Sequence, residues 1–154
     1  MKINYKNVGS NLKALRKSEG MTLCDVGDIA FPDGLYDDPS NVISRIESGA
    51  LHSLKALVHL ANFFWVPLEG LISDDFESLR CCAYTNGQRN VKKISINLCA
   101  VMTEKGITRE ELAVKSRITI SSIQSYRTGR RIPSLDQLLS ISKALEIPVD
   151  RLVE

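Results

Sequence analysis

The stretch "GITREELAVKSRITISSIQSYRTGRRIPSLDQLLSISKALEIPVDRL", residues 106–152, decides the fold. Thr108 stands three residues before Glu111, the reciprocal spacing of a capping box, and opens a helix over "REELAVKS". Thr119 caps a second helix, "ISSIQSYR". Ser134 caps a third, whose Leu135, Leu138, Leu139 and Leu145 form one apolar stripe. Pro148 suits the first turn of a short last helix ending in Leu152 and Val153. Upstream, residues 91–105 place Ile94, Leu98, Val101 and Met102 at helical spacing, and Gly106 closes that helix as a C-terminal glycine does. The expectation is a unit of five short helices.

The plan occurs twice. "NLKALRKSEGMT" (residues 11–22) aligns with "NLCAVMTEKGIT" (97–108) at an offset of 86. "ISRIESG" (43–49) aligns with "IQSYRTG" (123–129) at an offset of 80, and residues 53–72 align with 134–153 at 81. The offset changes only where loops are expected, as a duplicated fold tolerates. The first copy reads as helices over residues 8–19, 22–30, 40–47, 53–64 and 67–72. The expected organisation is a first domain over residues 1–73, a connector over 74–90 and a second domain over 91–154. The chain is all-α on this reading.

The remaining composition narrows the class. No run approaches the ~18 uninterrupted apolar residues of a membrane span. "MKINYKNVGS" lacks a signal-peptide core, so a cytoplasmic protein is expected. Cys24, Cys81, Cys82 and Cys99 form no metal-ligand spacing, and four free thiols with no metal are expected. No arrangement of nucleophile and base, paired carboxylates or phosphate-binding glycines stands out, so neither an enzyme nor a cofactor is expected, and no small-molecule ligand is evident. Charge is uneven: residues 1–90 hold nine Lys/Arg and eleven Asp/Glu, whereas 91–154 hold eleven and seven. A basic half points toward a nucleic-acid partner.

Two helices joined by a tight turn inside a five-helix unit resemble the lambda repressor/Cro-like (XRE) helix-turn-helix family. The resemblance covers both copies, more closely the second. It implies two tandem five-helix repressor-like domains whose third helix enters the major groove of double-stranded DNA. In the second copy Ile123 and Tyr126 are expected in the core, while Ile120, Ser121, Gln124 and Ser125 face outward. By resemblance Ile120, Ser121 and Ser125 take base-reading positions. Ile120 suits a thymine methyl, the serines bond several bases, and Gln124 suits adenine. Arg130 and Arg131 follow the helix where the chain runs along the phosphates. Arg109 stands where the family has a phosphate-contacting glutamine, and Thr119 and Arg127 are further phosphate contacts.

The first copy departs from this pattern. Ser40, Asn41, Ser44 and Arg45 are its outward-facing base readers, Asn41 for adenine and Arg45 for guanine. Leu23 replaces Arg109, and Ala50 and Leu51 replace the two arginines. Six extra residues before Ile43, within "FPDGLYDDPS", bring Asp33, Asp37 and Asp38. Either this loop reaches a groove or partner through Phe31, Leu35 and Tyr36, or the copy serves dimerisation. The resemblance further implies a salt bridge from the first helix to the third. The first copy holds both partners, Arg16 and Glu47, while the second holds Met102 and Arg127. Joint replacement fits the cost of a buried unpaired charge, and it leaves Arg127 to turn toward DNA. His52 and His59 read as surface residues, Phe64 as core, and Phe63 or Trp65 as packing between copies or chains.

The function implied is a sequence-specific transcriptional regulator, in the first place a repressor acting by occupancy, since no effector domain is expected after Glu154. One chain reads two half-sites as a pseudo-dimer, or two chains form a homodimer. The other class is a protein-binding or inhibitory module on a repressor-like fold, with the first domain serving dimerisation.

Overall fold

The computed structural model describes residues 4–32, 34–51, 53–76 and 89–154, all helix, turn or loop, with no strand among them. The chain divides into two compact units, Met1–Thr85 and Asn86–Glu154.

In the first unit α1 (Tyr5–Ser18) buries Val8, Leu12 and Leu15, one stripe at helical spacing. It begins three residues before the expected residue 8. Gly9 lies so close to the end of the third helix that a Cβ there would stand 2.4 Å from the Glu47 carbonyl oxygen. Only a residue without a side chain permits that approach. α2 (Leu23–Ala30) opens with a capping box, Thr22 with Asp25, and buries Val26 and Ala30. α3 (Pro39–Glu47) starts on Asp38 and buries Ile43 and Ile46. α4 (Leu54–Phe63) is capped by Ser53 and buries Leu54, Leu57 and Leu60 against this core. α5 (Leu68–Ile72) adds Leu68 and Leu71. Full burial of one such leucine contributes about 1.5–3 kcal/mol. Phe76 is buried in this unit and Asn7 donates to the Asp74 carboxylate, so residues 74–76 pack with the first helices.

The described residues of the second unit start at Arg89 and Asn90. Arg89 Nε donates to the Asp150 carboxylate, with both side chains buried, and the Asn90 N–H donates to the Val153 carbonyl at 2.6 Å. A single 3-10 turn, Val91–Lys93, leads into α6 (Ile94–Lys105), which buries Ile94, Leu98, Val101 and Met102. Gly106 ends α6 at φ 63°, a left-handed position that costs a glycine no Cβ clash. α7 (Arg109–Ser116), α8 (Ile120–Arg127) and α9 (Leu135–Ala144) follow, capped by Thr108, Thr119 and Ser134. The expected fifth helix is a 3-10 turn, Val149–Leu152, and Pro148 precedes it in extended conformation rather than occupying its first turn. Four residues are too few to propagate an α-helix.

α4 and α9 end alike. Trp65 and Glu146 hold φ 54° and 53°, and the next residue donates back to the helix, Val66 to Ala61 at 3.1 Å and Ile147 to Ser142 at 3.0 Å. The left-handed turn aims each of these side chains outward, and the Trp65 indole is 76% exposed. Phe64, expected in the core opposite Leu145, is only half-buried and packs edge-on against Phe63 at 4.8 Å. Leu145 is buried.

Candidate nucleic-acid interface

Local chemistry builds the α7–turn–α8 element. Thr108 Oγ1 accepts from the Glu111 N–H at 3.2 Å, and the Glu111 carboxylate accepts from the Thr108 N–H at 2.8 Å. The backbone bond from Thr108, then its hydroxyl, hold the Glu111 carboxyl below its ordinary range. α7 closes on Arg117 at φ 58°, where the Ile118 N–H donates to the Ala113 carbonyl at 3.2 Å. Thr119 is extended and caps α8, accepting from the Ser122 N–H at 3.3 Å and donating to Ser122 Oγ at 2.9 Å. The turn is therefore residues 117–119. Its left-handed residue lies between the apolar stripe of one helix and the cap of the next, a place the sequence reading did not single out.

α8 anchors itself by Ile123 and Tyr126, both buried. Its other face carries the residues expected to read bases. Ile120 is 46% exposed, an apolar group held in water, and Ser121 is exposed beside it. Ser125 is half-buried, and its hydroxyl donates to the Ser121 carbonyl at 3.0 Å. Gln124 is half-buried and its amide oxygen accepts from Arg109 Nη1 at 3.3 Å and from Arg127 Nη1 at 3.5 Å. Arg109 also lies 3.4 Å from Glu110. Arg130 and Arg131 are exposed just past α8, and the Arg131 N–H bonds back to the Ser125 carbonyl at 3.3 Å.

One cation and one hydroxyl differ from expectation. Arg127 does not swing free. It is half-buried, its Nε has no hydrogen-bond partner, and its carbonyl lies 3.7 Å from the Cys99 thiol. It lines a groove of about 420 Å3 with Met102, Thr103, Thr108 and Arg109. Thr119 donates its hydroxyl proton within its own cap, so that proton is not turned outward. Arg117 and Lys115 add exposed cations that sequence reasoning left out. The buried Arg89–Asp150 pair also went unseen, because partners 61 residues apart leave no local pattern.

In the first unit Asn41, Ser44 and Arg45 are exposed on α3, as base readers must be. Ser40 is half-buried, and its hydroxyl donates to Asp38 at 2.8 Å. Asp38 also accepts from the Asn41 N–H at 3.0 Å, and that bond chiefly holds its carboxyl below the usual range. A full negative charge thus sits on the helix N-terminus. Phe31, expected to reach outward, is buried and meets Tyr36 edge-on at 4.9 Å; apolar area drives the insertion onto its own unit. Leu35 and Tyr36 are half-buried. His59 is half-buried against Phe31 at 6.2 Å rather than at the surface. Asp33, His52, Cys81 and Cys82 lie outside the described residues. Arg16 Nε donates to Glu47 at 2.6 Å and Nη2 at 3.0 Å, while Nη1 donates to the Met21 carbonyl at 2.9 Å.

Charge separates the two helix pairs. Residues 109–132 contain six Lys/Arg and two Asp/Glu; residues 23–51 contain one and six.

Residues 100–152 match the family model described as helix-turn-helix. That family is the XRE, lambda repressor-like class, so the match points to a DNA-binding regulator of the XRE type. It spans α7, the turn, α8 and α9, the segment whose geometry is given above. No curated protein and no solved structure matches the chain. No helix among the described residues is long and apolar enough to cross a membrane.

Proposed function

We propose that this protein is a sequence-specific DNA-binding regulator, acting as a repressor by occupancy, and that α8 enters the major groove. The observation that carries the reading is the exposed face of α8. A short helix presents Ile120 and Ser121 at its first turn, flanked by Arg109 on one side and by Arg130 and Arg131 on the other. Small side chains at the first turn let the helix approach base edges, while guanidinium groups grip phosphates and set register. Ser125 and Gln124 complete the base-facing set. Thr119 and Arg127 stand at the rim of the same face.

Residues 1–73 are on this proposal a second repressor-like copy, joined through residues 74–90 to the copy over 91–154. Asn41, Ser44 and Arg45 supply what it has for base contact, with Ser40 at the helix start. A second reading is favoured by the carboxylates just before α3. Asp37 and Asp38 would meet phosphates with repulsion, so the first unit serves dimerisation or another protein partner, and α8 alone reads the duplex. Under the first reading one chain spans two unlike half-sites about one DNA turn (~34 Å) apart; under the second, a homodimer presents two copies of α8.

A mobility shift on random duplex with a salt titration tests the common core. Three arginine–phosphate contacts require log K to fall with log salt at a slope of about −3 or steeper. Binding that ignores salt, or no binding, overturns the proposal. Selection from a random duplex pool then separates two unlike half-sites from two equal ones.

A further inference from the structure

The Gln124 side chain on α8 is held from two sides. Its oxygen accepts from Arg109 Nη1 and Arg127 Nη1, at 3.3 and 3.5 Å. Two cations converging on one neutral amide fix which end faces them. The oxygen carries the partial negative charge, whereas the amino end would set donors against donors. An amide oxygen offers two lone pairs, and both are engaged. What remains is the NH2 group, which only donates.

We infer that Gln124 reads hydrogen-bond acceptors in the major groove and selects guanine rather than adenine at its base position. The inference rests on the proposed entry of α8 into the groove and names what that helix reads there. Adenine's bidentate glutamine contact needs an acceptor for the N6 amino group and a donor for N7, and Gln124 retains only the donor. Opposite the adenine amino group the glutamine NH2 meets a second donor. Guanine presents N7 and O6 side by side, both acceptors.

The supporting arrangement is peculiar to the second unit. Arg127 and Met102 stand where the first unit has Glu47 and Arg16, at the offsets of 80 and 86. Without that carboxylate, the Arg127 guanidinium turns to the Gln124 oxygen, and its Nε is left buried with no hydrogen bond. Arg109 reaches the same oxygen from the start of α7. The residues matching Gln124 and Arg109 in the first unit are Ser44 and Leu23, so no such clamp forms there.

The test is selection from a random duplex pool with the full chain and three variants, Gln124→Ala, Gln124→Glu and the double change Arg109→Met with Arg127→Met. The base read by Gln124 is the position whose preference collapses in Gln124→Ala. The wild-type chain enriches guanine over adenine there by about fivefold or more, the discrimination of a good base contact. Gln124→Glu keeps its helical circular dichroism and loses the guanine preference, because a carboxylate has no donor. The double change frees the amide oxygen and moves the preference to adenine; low salt compensates for the lost cations. Adenine enriched by the wild type, guanine retained by either variant, or no position altered by Gln124→Ala overturns the inference. Should the double variant fail to bind, Gln124→Glu decides alone. A clear selected motif that ignores Gln124 leaves the DNA-reading proposal standing; no enriched sequence from any protein removes both.

Discussion

In the first unit α1 meets α3 through an ion pair; in the second α6 meets α8 through a thioether and a lone guanidinium. Arg16 and Glu47 are both mostly buried, at 12% and 8% side-chain exposure, and Arg16 is satisfied on three sides. The hydrogen bond to Glu47 and its charge raise the Arg16 pKa against the opposing effect of burial. Met102 makes the matching position of α6 apolar, and Arg127 turns to Gln124 instead. The difference teaches that this seam tolerates two solutions but not a mixture. An arginine without its glutamate, or the reverse, strands a charge in a place largely closed to water.

Breaking the pair in the first unit gives the largest effect. Glu47→Ala costs about 3 kcal/mol in urea unfolding, while Arg127→Ala in the second costs under about 1 kcal/mol. Equal losses would mean that the pair contributes nothing beyond packing. Installing the missing pair sharpens the contrast: Met102→Arg with Arg127→Glu shows a coupling of roughly 1–2 kcal/mol in a double-mutant cycle, each single change being worse than the double. On the DNA side, Arg130→Ala with Arg131→Ala weakens binding to every sequence alike and reduces the salt slope by about 2, read from titrations at several salt concentrations. The corresponding residues Ala50 and Leu51 have no such charge to lose. A smaller change follows from the capping boxes, since Thr22→Ala and Thr108→Ala each cost about 1 kcal/mol in the same unfolding assay.

The smallest effect is one of pH. Burial, then Lys55, hold the His59 imidazole below its ordinary value. The folded first unit therefore prefers neutral histidine. That contribution is complete above about pH 6.5 and is lost as pH falls toward the lowered folded value. Both histidines of the chain precede Asn86, so amide exchange should show the first unit loosening in this window while the second holds. The second unit weakens only lower down, where the depressed Glu111 carboxyl protonates and its cap bond fails. Parallel loosening of both units near pH 6 would contradict the assignment.

What the sequence made legible was local. The Thr108–Glu111 box, the caps at Thr119 and Ser134 and the stop at Gly106 each depend on residues within four positions. The outward face of α8 came from the family resemblance, and Ile123 and Tyr126 do mark the buried side. Nonlocal outcomes were not legible. Nothing near Phe31 announces that Tyr36 will cover it, and Arg89 finds Asp150 only after the second core closes. Gln124 illustrates the boundary: its outward place came from that resemblance, but the direction of its amide depends on two arginines from either side of the turn. The last turn was misjudged for a different reason, as Pro148 is compatible with a helix start and equally with the extended residue before a 3-10 turn.

The left-handed position of Trp65 gives the chain an optical address. It is the sole indole in the sequence, and the stretch from Asn86 to Glu154 has Tyr126 as its one aromatic ring. An indole standing in water already emits as it would from an unfolded chain, so its colour says little about folding and a great deal about being covered. The Tyr126 phenol is buried, so its emission follows the folding of the module around it. Red-edge excitation therefore reports contact at the first unit alone.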